Sequence, residues 1–199
     1  MKFRLPILPC LALLLVATAF TQPQNTFIRD FCLPNANGNW VSTQNYPSAK
    51  GFIVIFTCNH CPFAKLYTKR MNDLNTQFSK TDVPLIAINS MDTLVYEDET
   101  FALMKIKAKQ DSFNFPYLQD ASQSVGKQFN AAHTPMAFVI WKETHGWKIR
   151  YSGAIDDNGE HPETARAYVS NAVNELLQQK KVSLPETQSF GCRIFYRKQ

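Results

Sequence analysis

The segment GFIVIFTCNHCPFAKLY, residues 51–67, joins an apolar run to a pattern with a different period, and two cysteines lie at the join. The run GFIVIF is rich in β-branched and aromatic residues, which is typical of a strand buried on both faces of a sheet. From Pro62 onward the apolar residues recur every three or four positions, which predicts one buried helix face: Phe63, Tyr67, Met71, Leu74 and Phe78. Cys58 and Cys61 therefore lie where a buried strand passes into a helix.

The spacing of Cys58 and Cys61 is that of a redox pair. Reversible disulfide chemistry needs two sulfurs that can approach to about 2 Å and a thiolate that is available near neutral pH. Residues at i and i+3 across a helix start share one face, and the free N–H groups there favour an anion at the first of them. We therefore expect Cys58 to attack and Cys61 to resolve. His60, between them, would stabilise the thiolate and favour a more oxidising disulfide.

The rest of the chain alternates strand and helix patterns. Asn37-Gly38 predicts a hairpin within FIRDFCLPNANGNWVS. A second buried strand, residues 83–89, precedes YEDETFALMKIKAKQ, which predicts a helix with acidic residues in its first turn and lysines near its end.

Shorter patterns complete the prediction. They indicate a helix over 122–129, an antiparallel strand pair on either side of 143–146, and a last helix over 163–179 whose Ala165, like three later residues, faces inward. We expect an α/β fold with a mixed central sheet, helices on both faces and an N-terminal β-hairpin.

The N-terminal residues differ in kind from the rest of the 199-residue chain. Lys2 and Arg4 precede an apolar run that is too short and too interrupted by proline to span a bilayer, and Ala17-Thr18-Ala19 offers the small residues that signal peptidase requires. We interpret residues 1–19 as a secretory signal peptide and residues 20–199 as a single domain with a C-terminal tail, 182–199. The protein is therefore expected to be periplasmic or extracellular, with no stable membrane insertion after cleavage.

Export changes what the charges and cysteines mean. Loss of Lys2 and Arg4 lowers the formal net charge of +5 by two, so we expect no nucleic acid partner. Loss of Cys10 leaves four cysteines in an oxidising compartment, namely Cys32, Cys58, Cys61 and Cys192. Cys32 and Cys192 could form a structural disulfide that ties the tail to the sheet. Alternatively, Cys192 could be a third redox thiol that exchanges with Cys58, and Cys32 could be free and buried.

Several spaced motifs resemble those of one superfamily. The CxxC pair, Thr134-Pro135 ahead of an apolar strand, and the segments AINS, FPYLQD, YSGAIDDN and PETQSFGC resemble the thioredoxin-like superfamily and, within it, the AhpC/TSA or redoxin class. The resemblance runs from about Phe27 to the C-terminus. It implies a thioredoxin-like fold and a redox centre of Cys58, Cys61 and Pro135, with the Thr134–Pro135 bond cis and facing the sulfurs. The Thr134 backbone would then pair with a bound substrate peptide like an added strand.

One position departs from that pattern. Thioredoxin has a buried acid six residues before its first cysteine, and the corresponding residue here is Phe52. His60, His133 or an acid from Asp156-Asp157 could instead accept the proton of Cys61. His133 could equally lie in a solvated loop, and Asp156-Asp157 could serve a turn or cap a helix.

These observations predict an exported thiol–disulfide oxidoreductase. Its catalytic residues would be Cys58, Cys61, Pro135, Thr134 and His60, with no metal or organic cofactor. Its partners would be cysteine-containing protein substrates and an unidentified redox partner.

Two alternative functions stay open. The first is a thiol peroxidase, although the peroxiredoxin pattern PxxxTxxC fits neither cysteine because Thr57 directly precedes Cys58. The second is a copper-binding metallochaperone, in which Cys58, Cys61, His60 and His133 would supply soft ligands. The copper-delivery proteins of this superfamily resemble CxxxCP, however, whereas this chain has CxxCP.

Overall fold

The computed structural model describes residues 27–198, so the expected signal peptide and Cys10 lie outside the described residues. The strands are β1 (Phe27–Ile28), β2 (Cys32–Pro34), β3 (Trp40–Ser42), β4 (Gly51–Phe56), β5 (Leu85–Asn89), β6 (Tyr117–Gln119), β7 (His133–Thr134), β8 (Met136–Glu143), β9 (Gly146–Gly153) and β10 (Cys192–Arg193). The helices are α1 (Pro62–Leu66), α2 (Thr68–Phe78), α3 (Phe101–Gln110), α4 (Ser124–Phe129) and α5 (Tyr168–Leu177). Within this part of the chain, no helix is long and apolar enough to cross a bilayer.

Six strands form one mixed sheet in the order β1-β9-β8-β4-β5-β6. The pairs β4–β5 and β5–β6 are parallel, whereas β8 runs antiparallel to both β4 and β9. The β2–β3 pair forms a separate hairpin across the predicted Asn37-Gly38 turn. The mixed sheet and the N-terminal hairpin are therefore as predicted.

Strand β4 lies at the centre of the sheet and contributes to a core on each face. Its side chains alternate, so that Phe52, Val54 and Phe56 join one core, while Ile53 and Ile55 join the other. Helix α4, the β2–β3 hairpin and part of the tail cover the first core, and helices α2, α3 and α5 cover the second. Helices thus lie on both faces, as the patterns predicted.

The predicted helix after the cysteines is divided in two. Helix α1 ends at Leu66 and α2 begins at Thr68, with Tyr67 at the junction. The residues from Tyr67 to Phe78 that were predicted to face inward are buried. Phe63 is 43% exposed, so its assignment to that buried face was wrong.

Three helices begin later than the patterns indicated. Helix α3 begins after Thr100, whose hydroxyl caps the backbone N–H of Leu103, so the acidic residues precede the helix instead of forming its first turn. Helix α4 follows Gln123, which has a positive φ of 60° that an α-helix cannot include. Helix α5 begins at Tyr168, and Ala165 lies in the turn before it.

The tail, which had no clear period, returns to the sheet. Its backbone pairs with β9 through Thr187, whose N–H donates to Ser152 O at 3.0 Å. Further along, β10 pairs antiparallel with β7, which places Cys192 opposite Thr134. Tyr196 then donates its hydroxyl proton to Ala131 O at 2.6 Å. Residues 188–193 therefore run between two anchors, across the end of the sheet that carries the cysteines.

Candidate active site

Cys58 and Cys61 lie just beyond the C-terminal end of β4, and both are 0% exposed. Pro62 is the first helical residue and Cys61 is the N-cap of α1, so the expectation that Cys58 stands at the helix start was wrong. The reason is local, because proline is favoured at the first position of a helix and its missing N–H has no partner to lose there. The free backbone N–H groups at the N-terminal end of α1 therefore face Cys61.

Thr134 contacts both sulfurs. Strand β8 pairs with β4 so that Met136 lies opposite Phe56, and this register brings Thr134 to the cysteines. The Cys58 Sγ lies 3.0 Å from Thr134 Oγ1, and the Cys61 thiol donates to Thr134 O at 3.1 Å. The Thr134–Pro135 bond is cis, as the resemblance implied.

The two thiols share protons. The pKa of Cys58 is raised, first because its thiol donates a hydrogen bond to Cys61, and further by burial and by the carboxylate of Glu99. The same hydrogen bond lowers the pKa of Cys61, against the effect of burial, and the N–H of Ala64 adds to the lowering. The first proton that the pair loses therefore comes from Cys61, and the helix-end stabilisation that the sequence assigned to Cys58 acts on Cys61.

A buried carboxylate that sequence reasoning missed completes the site. The side chain of Glu99 is 0% exposed, and it accepts hydrogen bonds from the backbone N–H groups of Asn59 and His60 at 2.9–3.0 Å. The Asn89 amide donates to its Oε2 at 2.6 Å, and the Nδ1 of His60 lies 2.5 Å from its Oε1. Glu99 thus holds the two residues between the cysteines in place.

Glu99 does not occupy the sequence position at which thioredoxin has its buried acid. The position that thioredoxin uses, Phe52, is packed edge to face against Tyr46 and Trp147. Glu99 comes instead from the short turn that follows the connection after β5. The only sequence signal was the acidic run before Thr100, which is equally typical of a helix start.

Three side chains that could coordinate a metal ion come close together in the site. Single ligating atoms of Cys58, His60 and Glu99 all lie within 4.8 Å of one another. The His60 ring also stacks on Tyr96, with centroids 4.7 Å apart. Neither Cys61 nor His133, which the sequence offered as soft ligands, belongs to this group of described residues. The oxygens of Glu99 already accept several hydrogen bonds, so a metal ion would have to displace some of them.

The other proposed proton acceptors have different partners. Asp156 accepts hydrogen bonds from Tyr67 Oη at 3.0 Å and from Arg70 Nη1 at 2.5 Å, and Asp157 accepts one from the N–H of Arg166. The contacts of Asp156 tie the segment after β9 to Tyr67 and α2, and the contact of Asp157 lies within the turn before α5, in agreement with the turn interpretation of the aspartates. His133 precedes Thr134 on β7, and neighbouring residues of a strand point to opposite faces, so its ring faces away from the sulfurs.

Cys192 is the third thiol of the site. The β7–β10 pairing places it opposite Thr134, whose carbonyl oxygen accepts the hydrogen bond of Cys61, and it is only partly buried. Cys32 is exposed on the β2–β3 hairpin, and none of the four described cysteines is in a disulfide. The structure therefore favours the interpretation of Cys192 as a redox thiol, with Cys61 as its neighbour, over a structural disulfide with Cys32.

The fold and the buried cysteine pair define a thioredoxin-like redoxin. The AhpC/TSA family matches residues 25–160, and the chain belongs to that family. No curated protein matches the chain.

Solved structures resemble the chain over most of its length. A hypothetical protein from Sinorhizobium meliloti 1021 is 31% identical, with a TM-score of 0.78 over 86% of this chain and 93% of that one. An uncharacterized conserved protein from Geobacillus kaustophilus is 29% identical, and the match, with a TM-score of 0.77, covers 87% of this chain and 92% of that one. The pneumococcal exposed lipoprotein thioredoxin Etrx1 from Streptococcus pneumoniae is 16% identical and shares the fold. The match, with a TM-score of 0.56, covers 76% of this chain and 99% of that one.

Proposed function

We propose that this redoxin is an exported thiol–disulfide oxidoreductase that exchanges disulfides with cysteine-containing proteins. The observation that carries the proposal is the contact of both buried sulfurs with Thr134. Two thiols in one hydrogen-bonded group can form a disulfide with little movement of the backbone. Cys61 is the more acidic of the two and is the thiolate of the reduced pair.

The surroundings support reversible exchange over permanent cross-linking. Glu99 and Thr134 each offer groups that can take or give a proton beside the sulfurs, as each step of exchange requires. Glu99 is the best-placed proton acceptor, because its carboxylate is close enough to Cys58 to raise that thiol's pKa. Export rests on the sequence of residues 1–19 and is tested separately, by N-terminal sequencing of the mature protein.

The double variant Cys58→Ser/Cys61→Ser tests the proposed activity. We expect it to lose all reduction of insulin disulfides and all oxidation of a dithiol peptide. The matched control is Cys32→Ser, which removes an exposed thiol on the hairpin and should exchange at the wild-type rate. Exchange that persists in the double variant would contradict the proposal.

The reduction potential of the Cys58–Cys61 pair would give the direction of electron flow. A value of about −270 mV is that of thioredoxin and would indicate a reductase. A value of about −120 mV is that of a strong oxidant and would indicate an oxidase. The measurement is an equilibrium titration against glutathione or dithiothreitol, with both forms separated by mass.

The metal-binding alternative has one observation in its favour, the group formed by Cys58, His60 and Glu99. It predicts that the reduced protein purifies with one equivalent of Cu(I) or Zn²⁺, and that His60→Ala or Glu99→Gln removes the metal. Protein that purifies without metal and binds none at micromolar concentration would leave thiol exchange as the function of this group.

A further inference from the structure

The tail strand β10 occupies the edge of β7 beside the redox pair. Cys192 lies opposite Thr134 in the antiparallel register, and Thr134 Oγ1 donates to Cys192 O at 3.4 Å. By its resemblance to the thioredoxin-like superfamily, this is the edge at which a substrate peptide is expected to add as a strand. The chain therefore presents one of its own cysteines to the pair in the way that a bound substrate would.

The approach of the tail is close and depends on a glycine. Gly191 has a φ of +143°, and a Cβ at this position would overlap the carbonyl group of Thr134. One residue earlier, Phe190 packs edge to face on Phe63 of α1, with centroids 5.7 Å apart. The tail thus lies across the start of α1 and places Cys192 opposite Thr134, the residue that both buried sulfurs contact.

Exposure divides the three sulfurs into an inner pair and an outer thiol. Cys58 and Cys61 are 0% exposed, whereas Cys192 is partly exposed. A protein substrate cannot reach a buried sulfur without displacing the tail, but it can reach Cys192 at the surface.

We propose that Cys192 is a third redox-active cysteine, which carries disulfide exchange between the buried Cys58–Cys61 pair and substrates at the surface, with Cys61 as the central sulfur. This proposal rests on the proposed function and adds to it the route by which a substrate reaches the pair.

Each step of the route is a balanced exchange. The Cys192 thiolate attacks Cys61 of the Cys58–Cys61 disulfide, so that the Cys61–Cys192 bond forms, the Cys58–Cys61 bond breaks, and Cys58 takes up the proton that Cys192 gave up. A substrate thiolate then attacks Cys192 and expels Cys61 as a thiolate. The second substrate thiol attacks the mixed disulfide and releases Cys192. Two substrate thiols are oxidised to a disulfide and the Cys58–Cys61 disulfide is reduced to two thiols; the reverse sequence reduces a substrate disulfide.

The acidities of the sulfurs fit the second step of this route, in which Cys61 is expelled. Burial, followed by the hydrogen bond to Cys61, raises the pKa of Cys192 to about 12, so in the reduced site it keeps its proton and donates it. The pKa of Cys61 is lowered by the hydrogen bonds that it receives from Cys58 and Cys192. A thiol of lower pKa is the better leaving group, so an attack on Cys192 of a Cys61–Cys192 disulfide would expel Cys61 readily.

A trapped intermediate tests the contact. Full-length Cys58→Ser keeps Cys61 and Cys192, and oxidation with oxidised glutathione should link them in most molecules, as read by peptide mapping without reduction. The matched variant Cys61→Ser keeps Cys58 and Cys192, which the proposed route does not join directly, and should form no such link. Cys58→Ser that yields only glutathione adducts would overturn the proposal.

A rate measurement tests the route. Cys192→Ser should exchange with a dithiol peptide about tenfold more slowly than wild type, because the intramolecular step is lost. Cys32→Ser should keep the wild-type rate. A Cys192→Ser protein as fast as wild type would overturn the route and leave the proposed function intact. A wild-type protein that exchanges with no peptide, but whose Cys58→Ser form links Cys61 to Cys192, would instead overturn the proposed function.

Discussion

At the scale of single residues, Glu99 affects both the conformation and the charge of the site. Its buried carboxylate accepts hydrogen bonds from the backbone N–H groups of Asn59 and His60, and its charge raises the pKa of the Cys58 thiol. The same residue therefore shapes the CxxC loop and opposes a second negative charge beside it. This combination lets the pair release one proton easily while the second is held.

Replacement of Glu99 by glutamine should make Cys58 more acidic. The variant keeps hydrogen-bonding groups at the position but removes the negative charge, so the midpoint of the Cys58 thiolate titration should fall by about one to two pH units. The measurement is thiolate absorbance against pH in a Cys61→Ser background, which leaves Cys58 without its coupled partner. Glu97→Gln, on the exposed side of the same turn, is the control. A midpoint that is equal in the two variants would show that the charge of Glu99 does not reach Cys58.

At the scale of elements, two short pieces decide the geometry of the site. Helix α1 has five residues and ends at Leu66, which leaves Phe63 on the outside, where Phe190 of the tail can pack on it. Strand β10 has two residues and pairs with an equally short β7. Elements this small depend on their anchors, here Thr187 with Ser152 and Tyr196 with Ala131.

Gly191→Ala should lift β10 from β7. A Cβ would meet the Thr134 carbonyl, and the positive φ adds strain for any residue other than glycine. We expect the alkylation of Cys61 by iodoacetamide in the reduced protein to become about tenfold faster, since the segment that covers it opens more often.

Gly38→Ala is the control for this change. Gly38 also has a positive φ, of 102°, but nothing lies within 4 Å of a Cβ there, so the variant carries backbone strain without a contact near the site. Equal alkylation of Cys61 in the two alanine variants and in wild type would mean that the tail does not cover the cysteine.

At the scale of the whole molecule, burial on two sheet faces leaves several hydroxyl and thiol groups that ionise only at high pH. Burial raises the pKa of Tyr151 to about 12, and it raises the pKa values of Tyr67, Tyr117 and Tyr196 as well. These groups keep their protons in the folded state at a pH where the unfolded chain has lost them.

The reduced protein should therefore lose stability in alkaline solution. A folded pKa above the unfolded value gives stability that is complete below the unfolded pKa of about 10 and is lost as the pH rises towards the folded pKa. Tyr151 alone should account for on the order of 2 kcal/mol of the unfolding free energy between pH 9 and pH 12. Urea unfolding across this range should show a shallower decline for Tyr151→Phe than for wild type. Tyr96→Phe, at a partly exposed position, is the control, and equal slopes in all three proteins would contradict the assignment to Tyr151.

The local elements could be predicted from the sequence, because their patterns are set by neighbouring residues. The apolar run of β4, the hairpin at Asn37-Gly38 and the CxxC spacing could each be interpreted because strand alternation, turn chemistry and cysteine spacing act over a few residues. The class of fold followed from the order of these elements, and Thr134-Pro135 from their resemblance to a known superfamily.

The distant residues that complete the site could be identified only from the packing of the folded chain. Glu99 lies 41 positions after Cys58 and Cys192 far beyond both, and no local period marks an acid or a cysteine as buried. Their placement depends on parallel strand pairing, which carries the connection after β5 to the end of β4, and on the tail finding the edge of β7. Such contacts arise from the packing of the whole sheet, which the patterns of neighbouring residues do not specify.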